Sequence, residues 1–371
     1  MSGCDRAQES VVSETTIDGR EVSLDRRTVL RAGAVGISSL ALPTAALAAS
    51  PESSSTPTGT LARVGAVTLL DGENSLVSAV TDGISAYFGT PFGANGQVVK
   101  VDLATLTRVD SVTLQSAENG LYGMATDGTH AYVGTSQSPG KVVKVLLSDM
   151  SRVGASSVLE TGEGNLRAPV VDAEHVYFAT LGSPGRVVKV KMSDLSRVGA
   201  VILDTGEDSP LAAISDGTHG YFGTNTSPGR VVKVRLSDMT RVGALTLESG
   251  ENQLVSAVTD GTHGYFGTNT SAGRVVKVRL SDMTRVGALT LESGENQLGS
   301  AVSDGTFAYF GTNQFGVSGR VVKVRMSDLT RVGAVTLESG ENQLTSAVAV
   351  GSFAYFGTAT SPGRVVKVQM S

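Results

Sequence analysis

The sequence reads as an all-β protein, a seven-bladed β-propeller with four antiparallel strands per blade and a ring closed 3+1 by the N-terminal strand. Three observations lead there. First, one unit is copied seven times: the Lys of a Val-Val-Lys triplet falls at 100, 144, 189, 233, 277, 323 and 367, at spacings of 44, 45, 44, 44, 46 and 44 residues. A second marker, Arg-Val-Gly-Ala (Arg-Val-Asp-Ser once), begins independently at Arg63, Arg108, Arg152, Arg197, Arg241, Arg285 and Arg331. Self-similarity at this period is the mark of a propeller blade. Second, each unit holds four short β-type runs between turn signals, and nothing has a sustained helical period. Third, the repeats open on an Arg-Val-Gly-Ala strand (63–69) and end on a Val-Val-Lys strand (364–370). The former is the fourth strand of a unit and the latter the third, so the N-terminal strand completes the last blade. Closure hides sheet edges that the alternative, an open β-solenoid, leaves exposed.

In chain order, residues 1–48 are expected to be an address. A charged stretch ends in Asp25-Arg26-Arg27-Thr28-Val29-Leu30-Arg31, a soft Ala/Gly/Ser/Leu run follows over 32–42, and Ala46-Leu47-Ala48 has a small-x-small cleavage pattern. This resembles a twin-arginine export signal, with Arg26 and Arg27 as the pair and Ala46 and Ala48 at the cleavage site, although Asp25 and Val29 replace the usual Ser/Thr and Phe. The alternative is a membrane anchor, but the run is shorter than the ~20 residues needed to span a bilayer. The expected location is periplasmic, extracellular or cell-surface. The lone Cys4 would depart with the signal, leaving neither a disulfide framework nor a cysteine metal cluster. Residues 49–60, which include Ser50-Pro51-Glu52-Ser53-Ser54-Ser55-Thr56-Pro57, have linker composition.

Residues 61–371 are the repeats. In the fifth unit the expected strands are 254–259, 264–268, 274–280 and 285–291. Asp260-Gly261 between the first two is a hairpin signal, because Gly accepts positive φ at little cost. The 45 glycines, without a collagen period, fit many such turns. The runs Ala-Tyr-Phe-Gly-Thr at 86–90, 308–312 and 354–358, followed by Gly-x-Val-Val-Lys-Val, resemble the YncE/YVTN-type seven-bladed propellers. That resemblance covers 61–371 and implies the fold. It implies no single activity, because such propellers include binding modules, lactonases, lyases and dehydrogenases. The chain has no Trp, so the Trp-containing signature of the quinone-binding repeats is missing.

A formal net charge of −5, with 18% charged residues, carries no electrostatic footprint for nucleic acid. A catalytic site is generally asymmetric, so groups repeated in every blade read as structural. The seven lysines and arginines of the two markers, and Asp149, Asp194, Asp238, Asp282 and Asp328 with Thr105 in the turns between third and fourth strands, are expected to cap turns and form ion pairs between strands or blades. His130, His175, His219 and His263 share one turn position in consecutive blades. Equivalent turns stand too far apart for ~2 Å bonds to one zinc ion, so these read as exposed turn residues opposite the binding mouth. Each loop from the outermost strand of one blade to the innermost strand of the next carries an acid: Glu73, Glu118, Glu163, Glu207, Glu251, Glu295 and Glu341. Either they satisfy loop backbone groups, or they form a carboxylate ring that attracts Ca²⁺ or a cationic ligand. The backbone role is the favoured one, and no other cofactor is expected.

Where the copies disagree, function has room. The start of the innermost strand reads Val77, Tyr122, Arg167, Leu211, Val255, Gly299 and Thr345. The loops between second and third strands are mostly Asn-Thr-Ser-Pro-Gly, but one contains Phe92 and another Phe315. Tyr122, Arg167, Phe92 and Phe315 are therefore the candidate ligand-binding residues, aromatic and Arg side chains being the usual anchors of binding sites, with drift between duplicated blades as the alternative. There is no Gly-rich phosphate loop and no Gly-x-Ser-x-Gly elbow. The reading is an exported, non-catalytic, monomeric propeller that binds a protein, small molecule or glycan at its channel mouth, without nucleic acid and without a transmembrane segment in the mature chain. Two alternatives are a lactonase- or lyase-like enzyme, which would bring Arg167 near Glu118, Glu163 and Glu207, and a structural surface protein with 50–60 as spacer.

Overall fold

The computed structural model describes residues 60–93 and 95–370. The export segment, with Arg26, Arg27, Ala46 and Ala48, lies outside the described residues. So does the linker stretch up to residue 59, and the described residues form 28 strands in seven four-stranded antiparallel sheets. Blade 1 comprises Ser78–Thr81, Ser85–Gly89, Gln97–Asp102 and Thr107–Thr113, and the others follow in chain order. In blade 7, Ala62–Thr68 is hydrogen-bonded along Arg364–Gln369 as the outermost strand of the sheet begun by Leu344–Val350 and Phe353–Thr358. Innermost strands of successive blades touch, and those of blades 7 and 1 do as well, so the ring is closed by the expected 3+1 arrangement. Blade 5 has strands Leu254–Thr259, His263–Thr268, Arg274–Arg279 and Thr284–Thr290, within a residue of the sequence expectation. No helix among the described residues is long and apolar enough to cross a membrane.

Burial explains the composition of each strand. The second and third strands are covered on both faces by neighbouring blades, so Gly-Tyr-Phe-Gly and Val-Val-Lys-Val are buried almost continuously. The outermost strand has a neighbour on one edge only and alternates exposed and half-buried residues. Adjacent Tyr and Phe on the second strand point to opposite faces. Tyr221 of blade 4 thus shares a core with Phe266 of blade 5, and Tyr177 of blade 3 with Phe222 of blade 4. Each core lies between blades, and no blade buries its apolar surface alone.

Polar groups latch the blades at the face holding the turns between first and second strands. Asp260 Oδ1 accepts from the backbone of Thr262 and His263 at 2.8 and 2.7 Å, while the Tyr265 hydroxyl lies 2.8 Å from both Asp260 Oδ2 and Met326 O of blade 6. Lys277 Nζ donates to the same Met326 carbonyl at 2.7 Å and sits 5.3 Å from the Tyr265 ring centroid. The Val-Val-Lys lysines do bridge blades, but their partners are carbonyl oxygens and aromatic faces rather than the carboxylates an ion pair requires. The capping role of the turn acids is as expected: Asp238 and Asp282 Oδ1 accept from Thr240 and Thr284 amides.

The histidines differ from the sequence reading. His130, His175, His219 and His263 are half-buried, with side chains 16–24% exposed. Each ring lies 3.3–3.6 Å from the Asp three residues before it and 6.2–6.4 Å from a Tyr ring. The cause is position: the residue begins the second strand and folds back over the turn instead of standing out from its tip.

Candidate functional site: the channel mouth

Because the strands are antiparallel, the loops entering the innermost strands and the loops between second and third strands share one face, here called the top. The seven glutamates lie in the first set, but their carboxylates turn away from the channel toward the outermost strands. Glu251 is fully buried; it accepts from Arg285 Nη2 at 2.5 Å and Nε at 3.0 Å, and from its own loop through Glu248 N at 3.1 Å. The same pairing joins Glu73 to Arg108, Glu118 to Arg152, Glu163 to Arg197, Glu207 to Arg241, Glu295 to Arg331 and Glu341 to Arg63. Burial alone would raise these carboxyls. The guanidinium and backbone hydrogen bonds outweigh it and hold Glu118, Glu163, Glu207 and Glu341 below the usual carboxylate range. A ring of free carboxylates facing the mouth is therefore not what the fold builds. Each acid stitches its loop to the blade that follows. Among the described residues no three His, Cys, Asp or Glu side chains converge as a metal group.

The innermost strands surround a cavity of about 90 Å³. Six of the seven variable positions line it: Val77, Tyr122, Leu211, Val255, Gly299 and Thr345. The next residues are small, such as Ser78, Ala212 and Ser256, and no charged side chain lines the cavity. Arg167, the seventh, is turned aside, its guanidinium carbon 3.7 Å from the Tyr122 ring centroid. Stacking on an aromatic face leaves the in-plane N–H donors free. Arg167 Nε is buried without a hydrogen-bond partner. Burial lowers the pKa of this guanidinium, with Tyr122 opposing the shift. Arg167 is not brought to Glu118, Glu163 or Glu207, each of which is held by its own arginine. Phe92 and Phe315 stand on the same top face, 62% and 83% exposed, in blades 1 and 6.

The junction of blades 2 and 3 contains partners that the sequence reading passed over. In blades 1, 5, 6 and 7 a serine follows the variable position and its Oγ donates to a leucine carbonyl of the next blade, as Ser256 does to Leu298 O at 2.6 Å. Blade 2 has Gly123 there instead. A Cβ on Gly123 would stand 3.1 Å from Arg167 Cα, Leu166 O and Pro169 Cδ, so the glycine admits a close approach by blade 3. In the innermost strand of blade 3, Leu166–Val171, the pairing register breaks between Arg167 and Val170. Ala168 there has φ +41°, a strained value for a residue with a Cβ. The signal was available as departures from the repeat at two aligned positions: Gly123 and Ala168 where four blades have Ser, and Pro169 where five blades have Ala.

Fold and central cavity together define the class: this is a β-propeller. Among solved structures, the WD40 repeats of RRP9 superpose with a TM-score of 0.65, covering 84% of this chain and 100% of that one at 10% identity. U3-55K superposes with a TM-score of 0.63, covering 81% and 98% at 10% identity. At that identity the likeness is one of fold. No protein-family profile matches the chain, and no curated protein sequence does.

Proposed function

We propose that this protein is an exported, non-catalytic propeller of the YncE/YVTN type that holds a partner on its top face at the channel mouth. The observation that carries the reading is the Tyr122–Arg167 stack. It breaks the sevenfold repetition at one blade junction, while the repeated acids are all held in structural pairs. The likeness in fold to WD40 repeats, a class whose members typically mediate protein interaction, favours a protein as that partner. The lactonase- or lyase-like alternative needs a carboxylate free to act beside Arg167, and no observation favours it.

A photo-crosslinking residue placed at Phe92 or Phe315 in the native host should yield a discrete adduct. The same residue at Ile84, exposed on the opposite face, should not. Equal adducts from both faces, or none from the top, would overturn the reading. Export is tested separately: Arg26→Lys with Arg27→Lys should leave the uncleaved precursor inside the cell, and unchanged processing would remove that part of the proposal.

A further inference from the structure

Arg167 differs from the repeated cations of this ring. The seven arginines of the Arg-Val-Gly-Ala marker are each bidentate to a buried glutamate, the arginines preceding Val-Val-Lys in blades 4 to 7 donate to loop carbonyls, and the Val-Val-Lys lysines donate to carbonyl oxygens of the next blade. Arg167 has a Tyr122 face beneath it, a buried Nε with no acceptor, and no carboxylate in contact among the described residues. Arg167 as a whole is half-buried, but its Nε–H is withdrawn from water without an acceptor, which is unfavourable unless a ligand supplies one. The local backbone around it differs from the other blades: the register break falls after Arg167 rather than at the variable residue as in blades 5, 6 and 7, Ala168 within it has positive φ, and Gly123 admits the close approach of the neighbouring strand. The Tyr stack also immobilises the planar fork, which lowers the ordering cost of bidentate recognition.

Resting on the top-face reading above, we propose that Arg167, held flat on Tyr122, is an anion site that takes the carboxylate of an acidic peptide side chain at the channel mouth. Tyr122, on which Arg167 lies, lines the neighbouring cavity of about 90 Å³, and that lining carries no charge to compete for the anion. Asn119, in the loop leading to Tyr122, donates to Gly93 O at 3.4 Å, which links the Phe92 loop to the loop that carries Tyr122. A charge centre with an apolar neighbour matches a short acidic segment with a hydrophobic flank. A carboxylate and a guanidinium match in plane and spacing, so selectivity over the neutral amide is a direct consequence.

The test uses the full chain and three probes: acetyl-Leu-Ser-Glu-Ser-amide, its Gln counterpart, and succinate as a free carboxylate. The Arg167 Nε–Hε resonance should move saturably with the Glu peptide, and the Gln peptide should bind at least tenfold more weakly. Succinate should move the same resonance with lower affinity; succinate binding as tightly as the Glu peptide would assign the site to a free carboxylate and overturn the peptide assignment. Arg167→Gln should weaken the Glu peptide at least tenfold, with Arg167→Lys intermediate. Equal affinity for Glu and Gln peptides, or an unmoved resonance in the wild-type chain, would overturn the proposal whether or not the variants fold. Top-face crosslinks without anion binding would defeat this inference alone. Arg167-dependent binding without crosslinks would defeat the partner reading alone.

Discussion

Arg285 is one of seven equivalent arginines, each reaching from an outermost strand to a buried carboxylate on the loop before its own blade. Removing one member of such a pair leaves the other buried and unpaired, so Arg285→Ala should destabilise by about 3 kcal/mol in urea unfolding. Arg235→Ala, at a pair exposed on both sides, should change stability by less than about 0.5 kcal/mol. The turn acids make a second prediction. Burial would raise Asp216 and Asp260, but hydrogen bonds from Tyr221 and the His219 and Thr218 amides, and from Thr262, the His263 amide and Tyr265, hold both down at about 2. A carboxyl depressed in the folded state stabilises fully above its ordinary pKa of about 4 and loses that contribution as pH falls toward the folded value. The melting temperature should therefore be insensitive to these groups above about pH 5 and fall between about pH 4 and 2, and Asp260→Asn should flatten part of that fall.

The outermost strands have a free edge, and each handles it in the same way. The pairing register skips one residue in every one of them, between Lys277↔Gly287 and Val278↔Arg285 in blade 5, so Val286 is left over as a bulge. It stands 47% exposed, and its equivalents Val64, Val109, Val153, Val198, Val242 and Val332 are likewise exposed. Bulges twist an edge away from further pairing, which accounts for apolar side chains standing in water around the rim. The bulge also restores the face of the strand from which Arg285 reaches Glu251. Deleting Val286 should therefore shift Arg285 to the other face and destabilise strongly in urea unfolding. Val286→Lys should stay within about 0.5 kcal/mol. The strand pattern itself was legible in sequence because alternation and Asp-Gly turns are local. The bulge was not: Arg-Val-Gly-Ala reads as plain strand until its partner shows which residue is skipped.

Closure makes the ring one cooperative object. The Ala62–Thr68 strand supplies the last edge of blade 7 and carries Arg63 to Glu341 across 278 residues of sequence. Deleting 61–70 should uncover the Arg364–Gln369 edge, strand Glu341 and abolish a single sharp melting transition; an unchanged transition would show that the ring does not depend on this strand. The repeat count, the four strands of each unit and the offset ends were all written in residue order, because periodic side chains and turn residues act within a few positions of one another. Even the variable channel positions could be picked out that way, and six of them do line the cavity. Which charges meet could not. Glu251 and Arg285 are 34 residues apart and find each other only when a loop of one blade lies against the outer strand of the next. Arg167 is aligned with six channel-lining residues, yet the register break in its strand falls after it rather than at it, and with a glycine in the neighbouring strand this sets it on Tyr122 instead. Local patterns specify elements, whereas ion pairs and stacks depend on how separate elements are set side by side.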